Sequence, residues 1–155
     1  MKHIYTFLCL FLLSCAFSIT NAQFIDTTWR VTGMVGEPWF ANPEMIIGRT
    51  QYFFKGESEG VFYSCNYAGQ STTYNIYHLD EFLDNKEFEL FKKHQTELAL
   101  RDETIMVHRI SCNGKSESER RVFYPFITFK NWTTAFYLFE GAIYILECEQ
   151  FCEHL

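Results

Sequence analysis

The stretch AFYLFEGAIYILEC, residues 135–148, decides the fold. Aromatic and β-branched residues crowd both sides of Glu140-Gly141, a dipeptide suited to a tight turn. The segment therefore reads as an antiparallel hairpin. Its aromatics fall on both faces, so each face needs its own cover. One fills an interior; the other lies under a helix, faces a cavity or meets a partner.

Upstream, RVFYPFITF (121–129) alternates Val122, Tyr124 and Phe126 with Phe123, Ile127 and Phe129. Pro125 cannot donate to a ladder, so this strand is expected at an edge or bulged there. TIMVHRIS (104–111) is a further strand, entered from a strand at ELAL (97–100) through a turn at RDE (101–103). NGKSESER (113–120) is a polar loop. Near the start, TTWRVTGMV (27–35) sets Trp29, Val31, Gly33 and Val35 against Arg30, Thr32 and Met34, the pattern of a half-buried strand. EMIIGRTQYFFKG (44–56) reads as one bent strand or two short ones with a bulge at Gly48. ESEG (57–60) reads as a turn, VFYSC (61–65) as a strand, NYAGQS (66–71) as a turn and TTYNIYH (72–78) as a strand. The expected fold is mainly β: an antiparallel barrel or strongly curled sheet of about eight strands.

One segment departs from the period of two. LDEFLDNKEFELFKKHQ (79–95) spaces Leu79, Phe82, Leu83, Phe88 and Phe91 as a helix does. Asp80 and Glu81 at its start and Lys92 and Lys93 near its end suit the helix dipole. Asp84-Asn85 divides it, so one or two short helices are expected at about 80–94.

The first 22 residues have the order of a secretory signal: Lys2 and His3, an apolar run from Ile4 to Phe17, then Thr20-Asn21-Ala22. The run is shorter than the roughly 20 residues of a membrane span. Cleavage after Ala22 would leave one domain, residues 23–155, with 12 basic residues against 19 acidic ones, a net charge of −7. The expected location is secreted or periplasmic. Leu12-Leu13-Ser14-Cys15 offers the alternative of a lipoprotein anchored through Cys15. The acidic balance argues against nucleic acid and suits solubility or a basic protein partner.

With Cys9 and Cys15 in the signal, Cys65, Cys112, Cys148 and Cys152 remain, an even number in an exported chain and hence two disulfides. Three pairings are open. The favoured one joins Cys65 and Cys112 to the tail cysteines, because longer closed loops restrict the unfolded chain more. Zinc held by Cys148, Cys152 and His154 would lack a fourth ligand, so no metal is expected. Asn131-Trp132-Thr133 is a glycosylation triplet that matters only in a eukaryotic secretory pathway.

Neither a zinc-protease helix, a nucleophile elbow, a phosphate loop nor a dinucleotide fingerprint occurs. His78, His94 and His108 read as surface or satisfied histidines, and Asp80-Glu81 and Asp102-Glu103 as a helix start and a turn. The expectation is a non-enzymatic protein without cofactor. The informative excess is aromatic, with 17 Phe, 9 Tyr and 3 Trp in the chain. Such side chains pack a dense core or line an apolar site.

An exported chain, Trp29 in the first strand, about eight short strands and disulfide cysteines together resemble the lipocalin-like (calycin) barrels. In that family the first strand carries Gly-x-Trp and the tryptophan closes the barrel floor; here Thr27-Thr28-Trp29 lacks the glycine. The family's helix follows the barrel, whereas the helix candidate here lies mid-chain. The resemblance implies a small apolar ligand inside the barrel, with Tyr63, Tyr74, Phe126, Phe136 and Tyr144 as inward aromatics by alternation. The other reading is an inhibitor or immunity protein that blocks an enzyme or toxin. Its anchors would be Trp39 and Phe40 in the loop GEPWFANP (36–43). The blander expectation for these two is that they fold under and plug one end of the core.

Overall fold

The computed structural model describes residues 27–54, 56–65, 70–101, 104–112, 121–129 and 133–150. The signal segment, the loop 113–120, Asn131, Cys152 and His154 lie outside the described residues. The strands are β1 (Thr27–Gly36), β2 (Thr50–Phe54), β3 (Glu57–Gly60), β4 (Gln70–Tyr77), β5 (Ile105–Cys112), β6 (Arg121–Val122), β7 (Phe126–Phe129), β8 (Thr134–Phe139) and β9 (Ala142–Gln150). Two short helices, α1 (Leu79–Asp84) and α2 (Glu89–Lys93), flank a 3-10 turn at Lys86–Phe88. One antiparallel sheet in the order β3-β2-β1-β9-β8-β7-β5-β4 curls into a half-barrel. No helix among the described residues is long and apolar enough to cross a membrane.

The sheet has two apolar faces. Trp29, Val31, Phe53, Ile110, Phe126, Ala135, Tyr137, Ala142, Tyr144 and Leu146 form one core cluster on the inner face. Phe82, Phe88, Phe91, Ile105, Val107, Ile127, Phe129, Phe136 and Ile143 form the other, between the outer face and the helices. Alternation explains the division: Tyr137 and Phe136, or Tyr144 and Ile143, are sequence neighbours that point to opposite sides. The helical layer is held by rings. Phe82 stacks on Phe88 at 4.3 Å, and Phe91 meets Phe136 edge-on at 5.9 Å. Arg109 of β5 adds a double hydrogen bond to the Glu87 carboxylate, 2.8 and 2.7 Å. That contact holds the Glu87 carboxyl below its usual range.

Several local expectations are corrected. ESEG is strand β3, not a turn. The tight turn lies at Gly56, and Gly60 sits where a Cβ would stand 2.6 Å from Gln51 Cα. Its exposed Glu57 and Glu59 suit a sheet edge. VFYSC is not a strand. Its chain leaves β3 at one edge and leads toward β4 at the other, so it straps the concave side, meeting the ladder through Val61 N, which donates to Thr50 O at 3.1 Å, and a Ser58–Cys65 bridge. Buried Gln51 holds this strap: Nε2 donates to Tyr63 O at 3.1 Å, and Oε1 accepts from Phe62 N at 3.2 Å. The first part of EMIIGRTQYFFKG is not a strand: Pro43–Met45 form a 3-10 turn and residues 46–48 a further turn ending at Gly48. ELAL continues the helical segment as turns, with Leu98 and Leu100 packed into the outer core. A register shift between Val31 and Gly33 turns Met34 to the inner cluster and Val35 to the outer one, reversing the simple alternation. Pro125 lies mid-sheet; the strand line beside β5 breaks into β6 and β7 around it.

The disulfide pairing also differs from the favoured one. Cys65 bonds Cys112, with Cα atoms 5.6 Å apart. Cys65 follows the edge strand β3, and Cys112 ends β5, one strand in from the opposite edge. The crosslink therefore ties the two ends of the curled sheet. Cys148 is also disulfide-bonded, to a partner outside the described residues.

Two predictions follow from this packing. Replacing both Cys65 and Cys112 with serine should lower unfolding free energy by about 4 kcal/mol for a loop of this length, read by denaturant titration without reductant. A loss under about 1 kcal/mol would mean the closure does not depend on the crosslink. Separately, His108 is buried on the inner face with Nε2 2.9 Å from Thr128 Oγ1, and burial pushes its pKa down to about 3. The unfolded chain binds this proton near pH 6.5 and the folded one does not, so stability falls as pH drops between those values. From about pH 7 to about pH 5 the loss should reach about 2 kcal/mol. His108→Gln should flatten that slope.

Candidate functional site

Four of the five aromatics chosen by alternation lie on the inner face. Phe126 and Tyr144 belong to the buried cluster, and Tyr63 enters it from the strap. Tyr74 sits opposite His108 across the β4–β5 ladder, its ring 6.0 Å away. Phe136 is corrected: it faces the helices and packs on Phe91 and Phe129. The neighbouring Tyr137 takes the inner place, one residue out of the expected register.

The inner rings touch one another. Trp29 and Phe53 both meet Phe126 edge-on, at 5.4 and 5.2 Å. Tyr63 stacks on Phe123 at 4.0 Å, and Phe62 lies 4.4 Å from Tyr137 and 5.3 Å from Tyr144. Burial raises the Tyr63 and Tyr137 hydroxyls well above the usual phenol range, so both stay protonated. These are neutral packing groups without nucleophilic character at ordinary pH.

Open space lies at the rim instead. A cleft of about 830 Å³ is walled by Gly36–Trp39 after β1, the β8–β9 turn, α2 with His94, and Tyr124. The turn is tight because Glu140 and Gly141 both have positive φ, 48° and 83°. Trp39 N donates to Glu140 O at 2.9 Å. The indole lies against Gly141, where an added Cβ would come within 2.8 Å of the ring. The loop is thereby clamped, yet Trp39 is 73% exposed and Phe40 88%. Neither plugs the core, contrary to the blander expectation. Short backbone contacts and the glycine turn fix the loop outside it.

Two of the cleft-lining residues carry a buried polar atom without a hydrogen-bond partner among the described residues, His94 Nε2 and Glu140 Oε2. His94 ends α2, and its Nδ1 lies 3.2 Å from Glu97 Oε1. In the neutral ring that contact places the proton on Nδ1 and leaves Nε2 as an acceptor. Tyr144 stands behind Glu140; burial raises its hydroxyl, and the Glu140 charge adds to the shift. Glu37 and the exposed Lys93 complete the charged lining. The wall thus sets charged residues beside apolar and aromatic surface. Among the described residues no group of three or more His, Cys, Asp or Glu is placed to hold a metal.

Family models, curated proteins and solved structures all give no match to this chain. The site must therefore be read from its own geometry. Sequence reasoning singled out Trp39 and Phe40 but missed Glu140 and His94 as rim groups. Glutamate at a hairpin position usually held by Asn, Asp or Gly was the available signal.

Gly141→Ala tests the clamp. A methyl group at this positive φ costs about 1–2 kcal/mol and collides with the indole. The expected result is lower stability with a moved Trp39 indole N–H signal in the NMR spectrum. An unmoved signal would place the ring elsewhere.

Proposed function

We propose that this chain is an exported, non-enzymatic protein that binds and blocks a protein partner through the rim of its half-barrel. The observation that carries the reading is the exposure of Trp39 and Phe40 on a loop clamped to the β8–β9 turn. Aromatic residues on a preordered loop lose little freedom on binding and supply large contact area, which is how interface anchors work. The leader-like first 22 residues support export, and the Cys65–Cys112 bond is compatible with an oxidising compartment. The acidic balance favours a basic partner. The lipocalin-like resemblance rests on strand pattern and Trp29, and by itself carries no ligand. An interior apolar ligand has less in its favour, because the rings of Trp29, Phe53, Tyr63, Phe126 and Tyr137 already pack against one another.

A photo-crosslinking amino acid at Phe40 should capture one protein in the native compartment. The same probe at Ile76, 59% exposed on the far edge strand, should not. Trp39→Ala with Phe40→Ala should weaken binding to that protein by about 100-fold or more while leaving the melting curve unchanged. Equal capture from both positions, or unaltered affinity in the double variant, would refute the rim as the binding surface.

A further inference from the structure

We infer that β4 is a pairing edge for a second copy of this chain, joined antiparallel to the same strand across a twofold axis. The inference stands apart from the rim reading and uses a different part of the sheet. The two strands that end the sheet are unlike. β3 is four residues long and carries exposed Glu57 and Glu59. The strap already meets its outer side, where Cys65 N donates to Ser58 O at 2.7 Å. Shortness, charge and a covering segment are the ways in which sheets block growth at an edge. Among the described residues β4 has none of them. It runs for eight residues, QSTTYNIY, and pairs along its length with β5. It contains no charged residue, glycine or proline. An edge strand turns the N–H and C=O groups of alternate residues away from its neighbour, a template for one more strand. Thr73, Asn75 and Ile76 are exposed along it.

Charge selects the occupant. The chain has 19 acidic residues against 13 basic ones, so two copies repel one another over most of their surface. Along β4 they do not, because in any antiparallel register the facing side chains are uncharged. The cation that β5 sets beside Thr73, Arg109, is neutralised by its double hydrogen bond to Glu87. A basic partner finds no carboxylate on this edge, so edge and rim address different molecules. Thr, Tyr and Ile are strong strand formers, and cross-strand pairs among them favour a ladder. Pairing β4 with itself gives Ile76 a cross-strand neighbour and satisfies the outward backbone groups of both copies at once, the closed solution that twofold symmetry provides. The loop with Trp39 and Phe40 follows β1, five places from β4 in the sheet order, so the pairing does not use the rim.

The test is sedimentation velocity on the disulfide-intact protein over a concentration series, with hydrogen exchange of the β4 amides. The expected result is a reversible dimer whose formation slows exchange along β4. Thr73→Lys with Asn75→Lys sets like charges across the axis and should weaken the dimer by about tenfold or more, with the near-UV circular dichroism unchanged. Glu57→Gln with Glu59→Gln shifts the net charge equally at the other edge and should leave the dimer intact. A photo-crosslink at Ile76 should give a product of twice the chain mass and no other protein. A monomer at every concentration, with β4 amides exchanging as fast as exposed loops, would overturn the inference. So would a dimer indifferent to the two lysines, one weakened equally by the Glu57 and Glu59 changes, or a foreign protein captured at Ile76.

Discussion

A sheet that curls only half-way round leaves two free edges and an uncovered concave face, and the whole fold depends on how these are closed. The closure is a short irregular segment, residues 61–65. Its backbone cannot join the ladder as a full strand, so its polar groups need other partners. Gln51 provides them from β2, with one amide group satisfying both Tyr63 O and Phe62 N. The disulfide from Cys65 to Cys112 then ties this segment to the far side of the sheet. Phe62 and Tyr63 are thereby carried into the interior, where they complete the inner cluster.

The second face obeys the same demand by different means. A hairpin apolar on both sides needs a second layer, and the chain supplies it from α1 and α2. Those helices are too short to be stable alone. They hold because Phe82, Phe88 and Phe91 pack against one another and on Phe136 of the sheet. The Glu87–Arg109 pair contributes little at its exposure but fixes where the layer sits. The end of α2 then arrives beside the β8–β9 turn, and the rim cleft is the gap between them. The cleft is a consequence of how the outer layer docks.

Clamping and exposure coexist at that rim. The Trp39 backbone bonds to Glu140 and its ring rests on Gly141, yet most of the side chain meets solvent. A large aromatic held in place without burial keeps its capacity to bury area against another molecule. Glu140 serves both the turn and the cleft wall: its positive φ closes the hairpin while its carboxylate lies shielded beside the cleft.

Local pattern alone determined the mainly β character, the hairpin at Glu140-Gly141, the two short helices split near Asn85 and the abundance of buried aromatics. Each depends on a period of two or 3.6 residues or on turn chemistry, which neighbouring residues specify. Tertiary structure decided the rest. VFYSC alternates like a strand, but its neighbours in space made it a strap, while ESEG became an edge strand because β2 lay ready to pair with it. The bulge at Thr32 and the inward choice of Tyr137 over Phe136 are matters of register, which alternation leaves open by one residue. Disulfide pairing depends on which strands curl together, so four cysteines in a row of text could not fix it. His94 and Glu140 lie 46 positions apart, and only the docking of helix on sheet brings them to one cleft.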